Sequence, residues 1–365
     1  MNVPKLRFKE FKDEYVKLKY KNVLKIKSGK DQKQVEDENG KYPILGTGGQ
    51  IGKTNSFLYD KPSVLIGRKG TINKPQYMEL PFWTVDTLFY SHIYEPNIPK
   101  YLFYSFQNVN WKKYDESTGV PSLSSSTIES VECSIPSPNE QLKVAKFLSL
   151  LDKKIELQSK KIEDLKLFKL YLQNKLYNAN DTKDVLINDL GEIVTGTTPS
   201  KSENKYWDNG NILWITPTDI CENRDINDCS CKLTESGLAK GRFIPKNSIL
   251  VTCIASIGKN AIIKEDGSCN QQINAIIPSK DYNYNYIYYM IENLSNYMKS
   301  IAGTSATAII NKEQFGNINI KIHKREVQDK ISKILNAFET KIIQEGFKYK
   351  KLQNLKKGLM QNMFV

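Results

Sequence analysis

One glycine-rich segment is spaced almost like a nucleotide-binding loop. In GTGGQIGKT (46–54), Gly46 and Gly52 lie six positions apart, whereas a phosphate-binding loop needs about five to close its ring of backbone amides around a phosphate. A dinucleotide-binding fingerprint would need glycine where Ile51 stands. The segment therefore predicts a glycine-rich loop between strands rather than a nucleotide site.

Residues that could catalyse a reaction are sparse. The only two histidines are His92 and His323, which leaves little material for general-base or metal-ligand constellations. The sequence has no HExxH, no GxSxG and no Asn/Asp-Pro-Pro-aromatic tetrapeptide, the usual amino-methyltransferase signature. The Asp and Glu residues show no paired pattern that nominates a magnesium nuclease site. We therefore predict no catalytic residue.

The cysteines do not have the spacing of a metal site. None of the six forms a CxxC pair, and both histidines lie far from the cysteine cluster in the second half. A tetrahedral zinc site needs paired ligands at short spacing. We predict no metal site and free thiols in a reducing cytoplasm. The cysteines are Cys133, Cys221, Cys229, Cys231, Cys253 and Cys269.

The charge balance favours an anionic partner. Lys and Arg number 53 against 40 Asp and Glu, which gives a net charge of +13 in 365 residues. Such an excess suits nucleic acid through counterion release, an anionic membrane surface, or a solvated surface without a partner. No stretch approaches the roughly 18 apolar residues of a membrane span, and the N-terminus has no apolar signal-peptide core.

The sequence contains an internal repeat. With a shift of 187 residues and no gap, residues 140–177 align with 327–364, so that Gln141 meets Gln328 and Ile155 meets Ile342. Neither segment contains proline, and each predicts one long helix. The apolar positions of each segment recur in steps of three and four, which predicts that the two helices pack together as an intramolecular coiled coil. The predicted seam residues are Leu148, Leu151, Ile155, Ile162, Leu165, Leu172, Leu176, Leu335, Phe338, Ile342, Leu352, Leu359 and Met363.

Polar residues interrupt both seams at the same two positions. They are Gln158 and Lys169 in the first helix, and Glu345 and Lys356 in the second. If the helices are antiparallel and cross near residues 163–164, Lys169 lies near Glu345 and Gln158 near Lys356. A polar pair at such a site fixes register at some cost in stability. Two unrelated amphipathic helices on separate cores remain an alternative.

The regions before the two helices have strand-like composition. Runs such as 63–72, 82–94 and 248–258 are rich in β-branched and aromatic residues, while 99–113 and 284–300 predict short helices. We predict an α+β chain whose segment 178–184 links the first helix to the second globular region. The predicted order is a globular region 1–138, a helix 139–180, a second globular region 181–323 and a second helix 324–365.

With these features in view, the chain resembles the DNA specificity subunits of type I restriction-modification systems over nearly its whole length. Segment 191–220 resembles the opening of a target-recognition domain, and 42–55 followed by 64–72 resembles its alternative opening. Segment 135–156 resembles the start of the family's conserved helix. Its second copy, 322–343, departs from the pattern, because Val327 replaces Glu140 and His323 replaces Pro136.

The resemblance implies two α/β target-recognition domains separated by two long antiparallel helices in a pseudo-two-fold arrangement. Each domain would read one half of a bipartite site in double-stranded DNA. Two modification (methyltransferase) subunits would supply S-adenosylmethionine chemistry, and restriction subunits would use ATP and magnesium. The chain itself would hold no cofactor and would be a cytoplasmic, non-catalytic part of the complex.

Loop cations and amides near the glycine-rich turns are the candidate DNA contacts. Arg and Lys can contact phosphate or guanine, and Asn and Gln can pair with adenine. The alternative for each is a solvated surface side chain. We predict that the tryptophans anchor the cores rather than stack on bases; they are Trp83, Trp207 and Trp214. The candidates are Lys53, Arg68, Lys69, Lys74, Lys201, Lys205, Lys259, Asn260 and Gln271.

Two other classes of function remain open from the sequence. One is a self-sufficient enzyme with methyltransferase and nuclease activity in one chain. The other is a stand-alone DNA-binding coiled-coil regulator or scaffold without a methyltransferase partner, which predicts homodimers through the helices. The duplication argues against the regulator, because one chain already supplies both halves of the seam.

Overall fold

The chain folds as an α+β protein with two compact units. The computed structural model describes residues 2–177, 181–221, 223–303 and 308–365. Unit 1 comprises Met1–Lys160 and Phe347–Val365, and unit 2 comprises Lys161–Gly346. Each unit therefore combines one globular region with parts of both predicted helices. Residues 178–180 of the predicted linker lie outside the described residues.

Unit 1 contains nine strands and two short helices before the first long helix. Its elements are β1 Val16–Lys19, β2 Leu24–Lys27, β3 Tyr42–Gly46, β4 Gly49–Thr54, β5 Ser63–Gly67, β6 Gln76–Met78, β7 Trp83–Thr84, β8 Leu88–Ile93, α1 Pro99–Asn108, α2 Ser125–Ser130, β9 Glu132–Ile135 and α3 Pro138–Tyr177. Residues 138–160 of α3 belong to unit 1.

Unit 2 has a closely similar series and ends in the second long helix. Its elements are β10 Thr182–Leu186, β11 Gly191–Thr195, β12 Ile212–Ile215, β13 Asp225–Ile226, β14 Lys232–Leu233, α4 Glu235–Leu238, β15 Ile249–Thr252, β16 Asn260–Ile263, β17 Gly267–Cys269, β18 Ile273–Pro278, α5 Tyr284–Asn293, α6 Ser295–Ile301, α7 Lys312–Gly316, β19 Asn319–His323 and α8 Arg325–Met363. Residues 347–363 of α8 belong to unit 1.

The two units share one sheet topology, except that the largest sheet of unit 2 has an additional edge strand, β13. In unit 1 the strand orders are β1-β9, β2-β8-β5-β6 and β4-β3-β7, and in unit 2 they are β10-β19, β11-β18-β15-β16-β13 and β14-β12-β17. In both, the three-stranded sheet has one antiparallel and one parallel pair, β3–β7 and β12–β17 being parallel. The repeat predicted from the helices therefore extends through the globular regions.

Each unit buries its own core against the long helices. The unit 1 core is aromatic, with Tyr20, Tyr101 and Trp111 nearly solvent-free, and it includes Leu148 of α3 and Met363 of α8. The main unit 2 core is rich in isoleucine and includes Tyr177 of α3 with Ile331 and Leu335 of α8. The helices are held in place by these cores, since burial of apolar side chains contributes about 1.5–3 kcal/mol each.

The prediction of two long helices is confirmed. They run over Pro138–Tyr177 and Arg325–Met363, and Gly346 and Gly358 do not interrupt the second. Within unit 2 they pack antiparallel, because Lys161 pairs with Glu345 while Lys169, further along α3, pairs with Glu339.

The shorter predicted elements are also present. The glycine-rich segment 46–54 forms the β3–β4 hairpin, in which Gly46 pairs with Gly49. A phosphate loop would instead lead from a strand into a helix. Helices α1 and α5–α6 occupy the predicted segments 99–113 and 284–300.

Candidate nucleic-acid interface

The loop after β5 presents three candidate cations in unit 1. Its backbone is fixed by two hydrogen bonds to the segment before α2, from Gly70 N to Pro121 O (2.8 Å) and from Leu123 N to Arg68 O (2.9 Å). The side chains of Arg68, Lys69 and Lys74 are exposed. Gly70 has φ +85°, a left-handed conformation that glycine adopts without steric cost. A turn held by backbone hydrogen bonds therefore carries exposed positive side chains.

Unit 2 contains the same turn with different residues. Ala255 N donates to Ala308 O (3.1 Å) and Ile310 N donates to Cys253 O (2.9 Å). Ala255 occupies the place of Gly70 and has φ +61°, a strained conformation for a residue with a Cβ. Counting four residues onward from each turn residue gives Lys74 and Lys259, both exposed. These two lysines therefore occupy equivalent positions in the two units.

Most of the other candidates also lie at the surface. Lys53 on β4 and Lys201 in the loop after β11 are exposed, and exposed Lys205 pairs with Glu203 at 3.1 Å. Exposed Gln271 accepts a hydrogen bond from the hydroxyl of Thr198 (2.5 Å). Exposed lysine and glutamine side chains of this kind suit phosphate and base contacts within each unit.

Asn260 differs from the other eight candidates. It is 8% exposed, and its amide nitrogen donates to the carbonyl oxygen of Tyr288 at 2.8 Å. This bond joins β16 to α5. In this structure the Asn260 amide is therefore engaged inside unit 2 rather than presented at its surface.

The tryptophans serve as anchors, as predicted. Trp83 and Trp214 are buried, and their indole nitrogens donate to Lys30 O and Thr197 O, each at 3.0 Å. Trp207 is half-buried and packs edge-on against Trp214, with ring centroids 4.9 Å apart. Their hydrogen bonds tie surface loops to the sheets, which fixes the frame that carries the candidate cations.

The predicted seam residues lie on the inner faces of the long helices. None of the thirteen is exposed: Leu148, Leu151, Leu335 and Met363 are buried. The half-buried members are Ile155, Ile162, Leu165, Leu172, Leu176, Phe338, Ile342, Leu352 and Leu359.

The predicted partner of Lys169 was wrong. Its ammonium lies 2.7 Å from Glu339 and 3.3 Å from Glu292 of α5, and 4.9 Å from the centroid of the Tyr289 ring. Glu345 instead pairs with Lys161 and Lys341. The side chain of Lys169 is 10% exposed and that of Glu339 16%. The heptad pattern identified the buried lysine but placed its partner almost two helical turns away.

Unit 1 repeats this cluster with equivalent residues. Lys356 pairs with Asp152 at 2.6 Å and lies 5.4 Å from the centroid of the Tyr104 ring. A shift of 187 residues converts Lys169 into Lys356 and Asp152 into Glu339. The phenol of Tyr104 donates to Asp152 (2.7 Å), and that of Tyr289 donates to Asn336 (2.9 Å). We call each arrangement an ion-pair lock, because it joins α3, α8 and a helix of the globular region.

A buried glutamine also ties each long helix to its globular region. Gln141 donates to Pro136 O (3.0 Å) and accepts from Ile98 N (2.9 Å). Gln328 makes the same bonds, donating to His323 O (2.8 Å) and accepting from Asn283 N (2.9 Å). Both side chains are 1% exposed. The alignment of Gln141 with Gln328 therefore reflects one shared contact.

The two departures from the repeat have local causes. Glu140 is 1% exposed and accepts two 2.8 Å bonds from the guanidinium of Arg7 and one of 2.9 Å from Tyr15. Val327, its counterpart, packs at the edge of the unit 2 core. Glu140 is therefore retained by partners in the N-terminal segment.

His323, the second departure, is 2% exposed. Its Nδ1 lies 2.8 Å from the hydroxyl of Tyr286, and its Nε2 is buried with no hydrogen-bond partner among the residues the structure describes. Burial lowers the pKa of His323 below its usual range, because the charged imidazolium loses solvation there.

The cysteines are free thiols. Burial raises the pKa of Cys133 and of Cys269 to about 12, which keeps them protonated and unreactive. No group of three or more His, Cys, Asp or Glu side chains that could hold a metal ion occurs among the residues the structure describes. Within the same residues, no helix combines the length and the apolar character needed to cross a membrane.

Comparisons with known sequences agree with the duplicated architecture. The family described as type I restriction modification DNA specificity domain matches residues 12–167 and 180–354. The type I restriction enzyme MjaIX specificity subunit of Methanocaldococcus jannaschii is 32% identical over 185 residues, 49% of this chain and 43% of the relative. The EcoR124I/EcoR124II specificity subunit of Escherichia coli is 28% identical over 219 residues, 56% of this chain and 54% of the relative. The chain thus matches about half the length of these curated relatives.

Solved structures share the fold over the whole chain. The S subunit of a type I restriction-modification system from M. genitalium superimposes with a TM-score of 0.69 at 16% identity, covering 100% of this chain and 99% of that one. A chain from a structural study of type I R-M complex assembly and conformational transition gives a TM-score of 0.61 at 11% identity, with 95% and 96% covered.

Proposed function

This chain belongs to the type I restriction modification DNA specificity family, and from that premise we propose that it selects the DNA sequence on which a multisubunit restriction-modification complex acts. Each unit reads one half of a bipartite target in double-stranded DNA. The observation that carries the proposal is the duplication: the specificity domain matches twice, and each copy contains a long helix with the same glutamine and ion-pair contacts. The loops of the two units differ in sequence, so the two half-sites differ.

The exposed cations of the turn loops are the proposed phosphate contacts. Lys74 and Lys259 occupy equivalent places on turns held by backbone hydrogen bonds, and the chain carries a net charge of +13. Neutralising phosphates releases condensed counterions, which provides most of the sequence-independent affinity. Arg68 and Gln271, which are also exposed, are the proposed contacts to guanine and adenine edges, because Arg can pair with guanine and Gln with adenine.

Partner subunits supply the chemistry in this proposal. Two modification subunits carry S-adenosylmethionine and methylate the target, and restriction subunits that use ATP and magnesium join them. The chain itself is a non-catalytic, cytoplasmic subunit. Its free thiols are consistent with the reducing cytoplasm.

Co-expression with the modification subunit of its own system tests the proposal. We expect a stable complex that methylates a plasmid library at one bipartite site, while neither protein alone does so; the measurement is methyl transfer followed by sequencing. Methylation by the isolated chain would instead identify a self-sufficient enzyme. A homodimer that binds DNA and no modification subunit would identify the stand-alone regulator.

The DNA contacts are tested by substitution within the complex. Lys74→Ala and Lys259→Ala should each weaken binding to all sequences alike and reduce the slope of log affinity against log salt by about one. Lys166→Ala, at an exposed position of α3, is the matched control and should leave the slope unchanged. Equal slopes for all four proteins would remove these lysines from the interface.

A further inference from the structure

The loop that carries Gln271 in unit 2 is held by hydrogen bonds on both sides of that residue. Asn270 N donates to Ile215 O (2.9 Å), and Ile273 N donates to Asn270 O (3.2 Å). The side-chain amide of Asn270 also donates to Gln272 Oε1 (3.1 Å). Asn270 is 9% exposed, whereas Gln271 is exposed. The loop therefore presents the Gln271 side chain to solvent from a backbone that its neighbours hold.

The segment that carries Thr198 lies directly against this loop. Thr197 N donates to Cys269 O at 2.9 Å. A Cβ on Gly196 would clash with Asn270 O, so the two segments approach this closely only because glycine stands there. Thr198 itself is exposed. The close approach therefore brings its hydroxyl to the exposed glutamine at the surface of unit 2.

The hydrogen bond between Thr198 and Gln271 fixes which end of the glutamine amide is the acceptor. The hydroxyl oxygen lies 2.5 Å from Oε1, a distance that suits an O–H···O bond and is shorter than the roughly 2.7 Å at which N–H···O bonds begin. A free glutamine amide populates two orientations about its last torsion, and this bond selects one of them. Oε1 keeps a second lone pair and Nε2 keeps its donors for a ligand.

Unit 1 has two carboxylates at the equivalent place. Its bond from Lys30 N to Thr84 O (2.9 Å) corresponds to the backbone bond between the two segments of unit 2. Counting onward from these residues aligns Asp31 with the threonine and Asp86 with the glutamine. Both aspartates are exposed, and ionised carboxylates only accept hydrogen bonds, so they cannot donate to each other. The hydroxyl-to-amide bond is therefore a property of unit 2.

We propose that Thr198 is a positioning residue for base recognition by unit 2, because its hydroxyl holds the Gln271 amide in the orientation that pairs with adenine and rejects guanine. The inference rests on the proposed function, in which Gln271 contacts an adenine edge. In this orientation Nε2 donates to adenine N7 while Oε1 accepts from adenine N6. Guanine has the acceptor O6 in place of N6, so two acceptors would face each other without a hydrogen bond. Without the hydroxyl, the amide can turn over and donate to guanine instead.

Base preference tests this role in the complex with modification subunits, on the target that methylation sequencing identifies. Gln271→Ala should abolish discrimination at one base pair of the unit 2 half-site and so locate the contact. At that base pair, Thr198→Val, which keeps the shape of the side chain without the hydroxyl, should reduce the preference for adenine over guanine about tenfold. Thr198→Ser, which keeps the hydroxyl, should retain the wild-type preference. Competition binding between duplexes that differ only at that base pair is the measurement.

Thr197→Val is the matched control. The Thr197 hydroxyl is buried with no hydrogen-bond partner among the residues the structure describes, so its removal should leave the base preference unchanged. The salt dependence of binding should be the same in all these variants, because none removes a cation. An unchanged preference in Thr198→Val, or an equal loss of affinity for all four bases, would overturn the inference while leaving the proposed function intact. Failure of the wild-type complex to prefer any DNA sequence would overturn both.

Discussion

At the scale of single residues, the two copies of the repeat differ where local partners differ. Glu140 is accompanied by Arg7 and Tyr15, and Val327 by apolar neighbours. The exchange of Pro136 for His323 places a titratable ring inside unit 2 and none at the same place in unit 1. The repeat therefore conserves the contacts of the frame and varies the residues around them.

His323 makes the stability of unit 2 sensitive to acid. Its pKa is lowered in the folded chain, whereas an unfolded histidine titrates near pH 6.5. Below about pH 6.5, His323 binds a proton more readily in the unfolded chain than in the folded chain. The free energy of unfolding therefore falls as the pH is lowered from about 6.5 to the folded-state pKa, by at most about 1.4 kcal/mol per pH unit. Above about pH 6.5 His323 is neutral in both states, and its contribution to the free energy of unfolding is fully present.

We expect His323→Phe to flatten that dependence. The variant loses the bond to Tyr286 and should be about 1 kcal/mol less stable at pH 8, yet its unfolding free energy should fall less steeply between pH 6.5 and 5. Urea unfolding across this range is the measurement, and His92, present in both proteins, is the internal control. If the unfolding free energies of the wild type and the variant changed equally with pH, His323 would not be the source of the acid sensitivity.

At the scale of elements, the ion-pair locks set the register of the long helices. The seam pattern predicts which helical faces meet, but sliding one helix along the other preserves that pattern over short distances. The actual pairs, Lys169 with Glu339 and Lys356 with Asp152, are symmetric about positions 160–161 of α3 rather than 163–164. Lys169 also contacts the Tyr289 ring and Lys356 the Tyr104 ring. These contacts to the globular regions fix how far one helix is displaced along the other, which the seam pattern alone does not.

The lock in unit 2 should contribute more to stability than the lock in unit 1. Lys169→Ala leaves Glu339, whose side chain is 16% exposed, without its principal cation, and should cost about 3 kcal/mol. Lys356→Ala leaves Asp152, 35% exposed and still bonded to Tyr104, and should cost about 1 kcal/mol. Urea unfolding measures both. The double variant Lys169→Met with Glu339→Met should recover most of the loss, because no buried charge is left unpaired; a loss as large as that of the single variant would argue against the lock.

At the scale of the whole molecule, the proposed function makes the long helices a determinant of the spacer between half-sites. Insertion of one heptad after Lys160 and another after Phe347 leaves both locks intact within their units. Seven residues add about 10 Å of helix, so the spacer of the methylated site should lengthen by about three base pairs at roughly 3.4 Å each. Sequencing of methylated plasmid libraries gives the spacer directly.

A single insertion provides the control for this experiment. A heptad in α3 alone shifts one helix against the other and should break a lock, with loss of stability. An unchanged spacer in the stable double insertion would show that the helices do not set it.

The sequence by itself determined the long helices, their shared repeat, the short helices α1 and α5, the hairpin at the glycine-rich segment and the family. Each is encoded locally, in residue periodicity or in motifs that survive alignment. The tertiary structure alone decided that Lys169 meets Glu339, that Asn260 turns inward, and that Lys74 and Lys259 are equivalent. Those properties depend on contacts between residues far apart in the chain, and no local pattern specifies the distance at which two surfaces meet.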